Sequence, residues 1–96
     1  MAKVLPPESL PVINPGATVV VAYTDTAAAS AALTGHIVRV IATTAGFLKF
    51  GATPVATSSD MYLPADVPEY FFIVSGSKIS AIRSATSGNL YITKAL

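Results

Sequence analysis

The stretch HIVRVIATTAGFLKFG, residues 36–51, holds two short apolar runs separated by small residues. In the first run Val38 and Val40 share one face and the isoleucines on either side share the other, which is typical of a strand that is covered on both sides. In the second run, bounded by glycines, Leu48 and Phe50 share one side. The stretch therefore predicts two consecutive β-strands.

The same β signals recur along the chain at roughly ten-residue spacing, with turn residues between them. Further strands are predicted for TVVVAY (18–23), MYL (61–63), YFFIV (70–74), SKISAIRSA (77–85) and GNLYITKAL (88–96). Short strands with little helix predict an all-β fold, namely a small antiparallel β-sandwich or barrel.

Two connections near the C-terminus contain the glycine that a hairpin turn with positive φ requires, Gly76 in residues 75–77 and Gly88 in residues 86–89. The C-terminal third is accordingly predicted to be an antiparallel meander. The alanine-rich segment 24–33 is predicted to form a single helical turn, with Asp25 or Thr26 as its N-cap, and a close-packed loop is the alternative.

Four of the seven prolines lie in residues 1–17. Because proline fixes φ and lacks an N–H donor, this segment is expected to be an extended N-terminal arm, followed by a single β domain over residues 18–96. Linkers are normally polar, yet the arm carries Leu5, Leu10, Val12 and Ile13. We therefore expect it to lie along a neighbouring subunit; a disordered terminus is the alternative.

The composition indicates a protein that needs partners. Of its 96 residues 52% are apolar and only 11% are charged, and the mean hydropathy is +0.61. Ordinary soluble domains have about 25% charged residues. Too few charges remain to coat the surface of a small monomer, so another subunit is expected to cover part of it.

The same numbers argue against two partner classes. The net charge is +1 and the six basic residues are scattered singly, so no cationic cluster for nucleic acid is present. Prolines interrupt the first twelve residues, which therefore lack the apolar core of a secretory signal. No apolar run approaches the roughly 18–20 residues of a membrane span. We expect a soluble, unprocessed protein with no nucleic-acid or membrane partner.

Catalytic and metal-binding patterns are missing from the sequence. His36 is the only histidine, there is no cysteine, and Asp66 with Glu69 is the only close pair of acids. A zinc site or a Ser-His-Asp triad needs a richer set of groups. The glycines are isolated, and no nucleophile elbow occurs. We expect no catalytic residue, no metal and no cofactor, so the protein is not expected to be an enzyme.

Several motifs follow one another over about the last 60% of the chain: VRVIATT, FLKFG, TPVATSSDMYLPADVPEYF, SKISAI and a final G-x-L-Y-I-T strand. In this order they resemble small structural proteins of tailed bacteriophages, the capsid decoration or cement proteins. The resemblance implies a jelly-roll-like sandwich that sits on the capsid exterior of the virion and clamps neighbouring subunits. Its partners would be the major capsid protein and further copies of itself in a homotrimer or homodimer. A place on the head, on the tail or at their joint remains open.

Candidate interface residues come from the arm and from three aromatic positions: Leu5, Leu10, Val12, Ile13, Tyr62, Tyr70 and Phe72. The loop 53–68 is a further candidate for a contact face. A competing hypothesis is a receptor- or carbohydrate-binding module of a fibre or tail, in which Tyr62, Tyr70 and Tyr91 would stack on the ligand.

Overall fold

The structure, a computed structural model, describes residues 4–5 and 18–95. These residues form nine β-strands and no helix. Numbered along the chain, the strands are β1 (Val4–Leu5), β2 (Thr18–Tyr23), β3 (Ala28–Ala29), β4 (Ile37–Ala42), β5 (Gly46–Gly51), β6 (Met61–Leu63), β7 (Glu69–Phe72), β8 (Lys78–Arg83) and β9 (Gly88–Lys94).

The strands form two antiparallel sheets. The five-stranded sheet has the order β1-β7-β4-β9-β2, and the four-stranded sheet has the order β3-β8-β5-β6. From β2 to β9 the pairing is nested, because β2 pairs with β9, β3 with β8, β4 with β7 and β5 with β6. Additional pairs, β4 with β9 and β5 with β8, complete the sheets. The eight strands thus form one long hairpin that is folded across two sheets.

The sheets pack against each other through a shared apolar core. Alternate residues of β2 and of β4 to β9 point into it, as the two-residue period of a strand requires. The rings of Phe50 and Phe71, from opposite sheets, lie with their centroids 5.0 Å apart. The largest fully buried side chains are Tyr23, Phe71, Leu63, Ile79, Leu90, Ile92, Val38, Val40 and Ser80.

The all-β fold is confirmed, and seven of the nine strands, β2 and β4 to β9, lie where strands were predicted. The stretch 36–51 forms β4 and β5, and MYL forms β6 at the edge of its sheet. Strand β7 is shorter than predicted, because it ends at Phe72 and leaves Ile73 and Val74 in the following connection.

The predicted C-terminal meander is wrong. Strands β7 and β9 lie in the five-stranded sheet while β8 lies in the other, so neither glycine-containing connection is a hairpin. Gly76 does adopt φ +94°, but its turn carries the chain from one sheet to the other. A tight turn reverses the chain but does not determine the sheet in which the next strand pairs. The turn residues are therefore the same for a hairpin and for a connection between sheets.

The predicted helical turn in residues 24–33 is also wrong. Ala28–Ala29 form β3, which pairs with β8 at the edge of the four-stranded sheet. Ser30 continues this contact, since its N–H donates to Ile79 O at 2.9 Å and its hydroxyl accepts from Ile79 N at 3.0 Å. Contacts with β8 therefore override the helix propensity of the alanines.

The polar passage between β5 and β6, residues 52–60, covers part of the four-stranded sheet. Ser80 pairs with Lys49 on the outer face of that sheet, yet it is buried. Its hydroxyl accepts a hydrogen bond from the N–H of Ala56 at 2.9 Å, and both Ala56 and the nearby Pro54 of the same passage are buried. The passage is thus a packed cover, held at its far side by the Asp60 carboxylate, which accepts from Thr57 N at 2.7 Å.

Most of the predicted N-terminal arm lies outside the described residues. Val4–Leu5 is the exception and adds a strand to the edge of the five-stranded sheet, with Val4 opposite Phe71 and Leu5 opposite Tyr70.

Candidate interaction surfaces

The outer face of the five-stranded sheet carries a line of apolar side chains, which we call the apolar row. Val20 lies directly opposite Tyr91, and Tyr91 lies opposite Ile41 on the next strand. Val20 is 53% exposed and Tyr91 is 37% exposed, whereas Ile41 is half-buried. Cross-strand neighbours of this kind lie within contact distance, so the row is a continuous apolar strip.

The apolar row could not be predicted from the sequence pattern of its strands. In TVVVAY the valines on the inner and outer faces are identical residues, so burial cannot be assigned to either set from the pattern alone. Next to the row, the hydroxyl oxygens of Thr18 and Thr93 are hydrogen-bonded across the same face at 3.0 Å. The row is therefore flanked by two threonine hydroxyls, and Arg39, which lies opposite Thr93 on the same face, is the charged residue next to them.

The outer face of the four-stranded sheet presents a smaller aromatic site. Phe47 and Tyr62 lie opposite each other, and their rings meet edge to face with centroids 5.6 Å apart. Ile82 lies on the other side of Phe47. The Tyr62 ring is 55% exposed, because β6 is an edge strand with no further neighbour in its sheet among the described residues.

Tyr62 also borders a cleft of about 400 Å³, which we call the end cleft. The end cleft lies among the connections β4–β5, β6–β7 and β8–β9. Its lining consists of small, hydroxyl-bearing and aromatic residues: Thr43, Thr44, Ala45, Tyr62, Ala65, Ser84, Ala85 and Thr86.

Hydrogen bonds hold the walls of the end cleft together. The buried Tyr23 hydroxyl donates to Thr44 O, and the Thr44 hydroxyl donates to Thr86 O at 2.8 Å. Ser84 N donates to Ala45 O at 3.0 Å. The cleft is therefore preformed, and its hydroxyls with the Tyr62 ring suit an uncharged polar ligand rather than an ion.

No acid-base or metal constellation forms in the part of the chain that the structure describes. Groups of three or more potential metal ligands are not found there. His36 accepts a hydrogen bond from Ile73 N through its carbonyl, whereas Asp66 donates its N–H to Ala42 O at the opposite end of the strands. Asp66 adopts φ 59° in a turn, a conformation that aspartate tolerates.

The structure separates the three tyrosines of the carbohydrate hypothesis. Tyr62 lies on the outer face of the four-stranded sheet, while Tyr70 and Tyr91 lie on the outer face of the other. Tyr70 is buried, so its ring is not available for stacking. The three therefore do not form one site.

Among the predicted interface residues, Tyr62 and Phe72 are exposed, Tyr70 is buried and Leu5 lies in β1. Leu10, Val12 and Ile13 lie outside the described residues. Their role at an interface stays a prediction. The structure adds exposed apolar side chains that were not singled out: Val20, Val55, Met61, Val67, Val74 and Tyr91.

The described part of the chain contains no helix that is long and apolar enough to cross a membrane. No protein-family model matches the sequence, and neither the curated proteins nor the solved structures contain a match to it.

Proposed function

We propose that this chain is a structural protein of a virus particle that binds the outside of the capsid as a small homo-oligomer and stabilises it across subunit joints. In this role the protein needs adhesive surfaces and a rigid frame, and it needs no reactive group.

The observation that carries the proposal is the nested pairing of β2 to β9 across two sheets. This is the strand order of the eight-stranded jelly roll, an architecture used by viral capsid and lectin domains. A fold alone does not determine a function, so the surfaces must agree with it. The motif order in residues 39–96, which resembles phage decoration proteins, points in the same direction.

The apolar row supports adhesion. It places Val20 and Tyr91 in water on a sheet face whose neighbouring hydroxyls belong to Thr18 and Thr93. The centres of protein interfaces are similarly apolar, rich in aromatic residues and depleted of charge. We assign this row to contact with the capsid or with a second copy of the chain.

A homo-oligomer suits such modest patches. Linking several copies makes each further contact intramolecular and raises overall avidity by about 10²–10⁴ without new contacts. A repeating capsid lattice offers the repeated sites that this effect requires. A trimer or dimer with one apolar row per subunit would therefore bind firmly although each row is small.

Labelling of assembled particles with an antibody against the chain tests the proposal. We expect label at regular positions on the capsid exterior, and a Val20→Lys variant is expected to bind particles at least about tenfold more weakly, which corresponds to about 1.4 kcal/mol. The matched control is Val74→Lys, because Val74 is exposed but lies outside both sheets and outside the loop 53–68.

Absence of the chain from the capsid surface would overturn the proposed function. Normal binding of Val20→Lys together with correct location would overturn only the assignment of the apolar row.

The end cleft favours a second candidate, a saccharide-binding module of a fibre or tail. Here Tyr62 would stack on a sugar ring and the cleft hydroxyls would hydrogen-bond it. Glycan-array binding that is lost in Tyr62→Ala and retained in Tyr91→Ala would support this candidate. An array without any binding, from a protein found on the head lattice, would contradict it.

A further inference from the structure

The two sheets have four edge strands, and in the part of the chain that the structure describes three of them are short. Strands β1 and β3 have two residues each, and β6 has three and is followed directly by Pro64. Proteins protect sheet edges in this way, with short strands, proline, charged side chains or a bulge. Strand β2 has none of these features, because it runs for six uncharged residues and pairs with β9 at six successive positions.

Strand β2 directs half of its backbone groups away from its own sheet. On the neighbouring β9, the Asn89 carbonyl accepts from Thr43 N at 3.0 Å and Asn89 N donates to the Thr43 hydroxyl at 2.9 Å, so both groups point toward β4. Successive strand residues alternate in this respect, so the backbone of Leu90 points toward β2 and bonds to Val21, which lies opposite it. The residues of β2 that direct their N–H and C=O groups outward are therefore Thr18, Val20 and Ala22.

These three residues form what we call the open edge. All three are exposed. Among the described residues, no backbone hydrogen bond outside the strand ladders reaches them. Beyond them the edge closes onto the other sheet, because Thr24 O accepts from Arg83 N at 3.0 Å. The open edge is thus centred on Val20.

The open edge is complementary to a copy of itself. In an antiparallel pair, two residues that lie opposite each other and direct their backbone groups inward exchange two N–H···O bonds. Two open edges meet this condition throughout when Val20 lies opposite Val20, since Thr18 then lies opposite Ala22 at both ends. We propose that β2 pairs antiparallel with β2 of a second copy of this chain, about a two-fold axis at Val20. The two five-stranded sheets then form one continuous sheet, and main-chain hydrogen bonds hold the copies together.

The side chains agree with this register on both faces. On the outer face, the apolar row ends at the open edge with Val20, and the pairing joins it to the row of the second copy. On the inner face, the half-buried Val19 comes to lie opposite Val21 of the second copy, so more apolar surface leaves water. A two-fold contact uses the same surface on both partners and closes with two subunits, so the pairing gives a dimer rather than a trimer.

Disulfide formation tests the proposal, because the chain contains no cysteine. Opposite residues of a hydrogen-bonded pair have Cα atoms about 5.5 Å apart, within the range of about 4.4–6.8 Å that a disulfide spans. Val20→Cys is therefore expected to form a covalent dimer under mild oxidation. Ala22→Cys is the matched control on the same edge, because its two copies would lie four residues apart along the strands, or about 13 Å. We expect it to cross-link at least about tenfold more slowly, since no disulfide spans that distance.

Two further variants test the register and the face. A mixture of Thr18→Cys and Ala22→Cys chains is expected to give the mixed dimer, identified by its mass, faster than either chain cross-links alone. Tyr91→Cys lies on the apolar row, and in the paired sheet its two copies are three strand spacings apart, or about 14 Å. It should therefore cross-link as slowly as Ala22→Cys.

The unaltered chain should sediment at twice its mass of 9.8 kDa, in a proportion that rises with concentration. A chain that stays monomeric, or a Val20→Cys variant that cross-links no faster than Ala22→Cys, would overturn the proposal. Equal rates for Tyr91→Cys and Val20→Cys would also overturn it and would place the contact on the sheet face. These measurements require no capsid, so their result is independent of the proposed function.

Discussion

Removal of one hydroxyl group, by Tyr23→Phe, is expected to destabilise the whole fold. Tyr23 is 1% exposed at the end of β2, and its hydroxyl donates to Thr44 O while accepting from Thr44 N at 3.3 Å. The phenylalanine ring fills the same volume, so core packing is retained. The substitution therefore isolates the contribution of the hydroxyl to the free energy of unfolding.

The expected loss follows from the two backbone groups of Thr44 that lose their partner. A buried polar group left without a hydrogen bond costs about 1–3 kcal/mol, and Thr44 is half-buried, so the lower part of that range, about 1–2 kcal/mol, applies. With a urea m-value of about 1 kcal/mol/M, the unfolding midpoint falls by about 1–2 M. Each kcal/mol lowers Tm by about 4–8 °C in a domain of this size.

The measurement is urea unfolding followed by circular dichroism, at one fixed protein concentration because association also shifts apparent stability. Tyr62→Phe is the matched control, since it removes the same hydroxyl from an exposed ring and should stay within about 0.5 kcal/mol of the original chain. If Tyr23→Phe also stays within that margin, or if both variants lose the same free energy, the Tyr23–Thr44 hydrogen bonds do not stabilise the fold as argued.

Two further substitutions test the packing of the loops. Gly88→Ala should destabilise the fold by about 1–3 kcal/mol, because the new Cβ would lie 2.7 Å from Thr43 Oγ1. Gly51→Ala is the control, since its Cβ meets nothing within 4 Å, and its thermal unfolding should be nearly unchanged. Ser80→Ala should lower the free energy of unfolding by about 1–2 kcal/mol, because Ala56 N loses its hydrogen-bond acceptor. The control Ser75→Ala, at an exposed serine, should leave it unchanged. Equal Tm values for the two serine variants would contradict the idea that residues 52–60 form a packed cover.

The strands could be predicted from the sequence because apolar and polar residues alternate with a two-residue period within a single strand. In β8, for example, Ile79 and Ala81 alternate with Lys78 and Ser80, and this order fixes which residues face the core. The pairing partners could not be predicted. A two-residue period is the same whether β8 pairs with its neighbour in the chain or, as observed, with β5 and β3.

Gly88 shows why turn signals mislead in this chain. The sequence indicated a glycine needed for positive φ, which holds for Gly76 but not for Gly88. Gly88 is required by close approach, because Thr43, Thr44 and the Tyr23 hydroxyl occupy the place of a side chain. Nothing in the local sequence distinguishes these two requirements, since the crowding residues lie far away along the chain.

The contrast between Tyr70 and Phe72 limits sequence-based prediction of the interface. Both residues lie on the outer face of β7, and alternation treats them alike as candidates for contact. Yet Tyr70 is buried and Phe72 is exposed. The difference depends on the neighbours that each side chain has in the folded protein, which the period of a single strand does not encode. A partner of this face can therefore contact Phe72 and the apolar row directly, whereas the Tyr70 side chain offers it almost no accessible surface and adds little to the area that binding would bury.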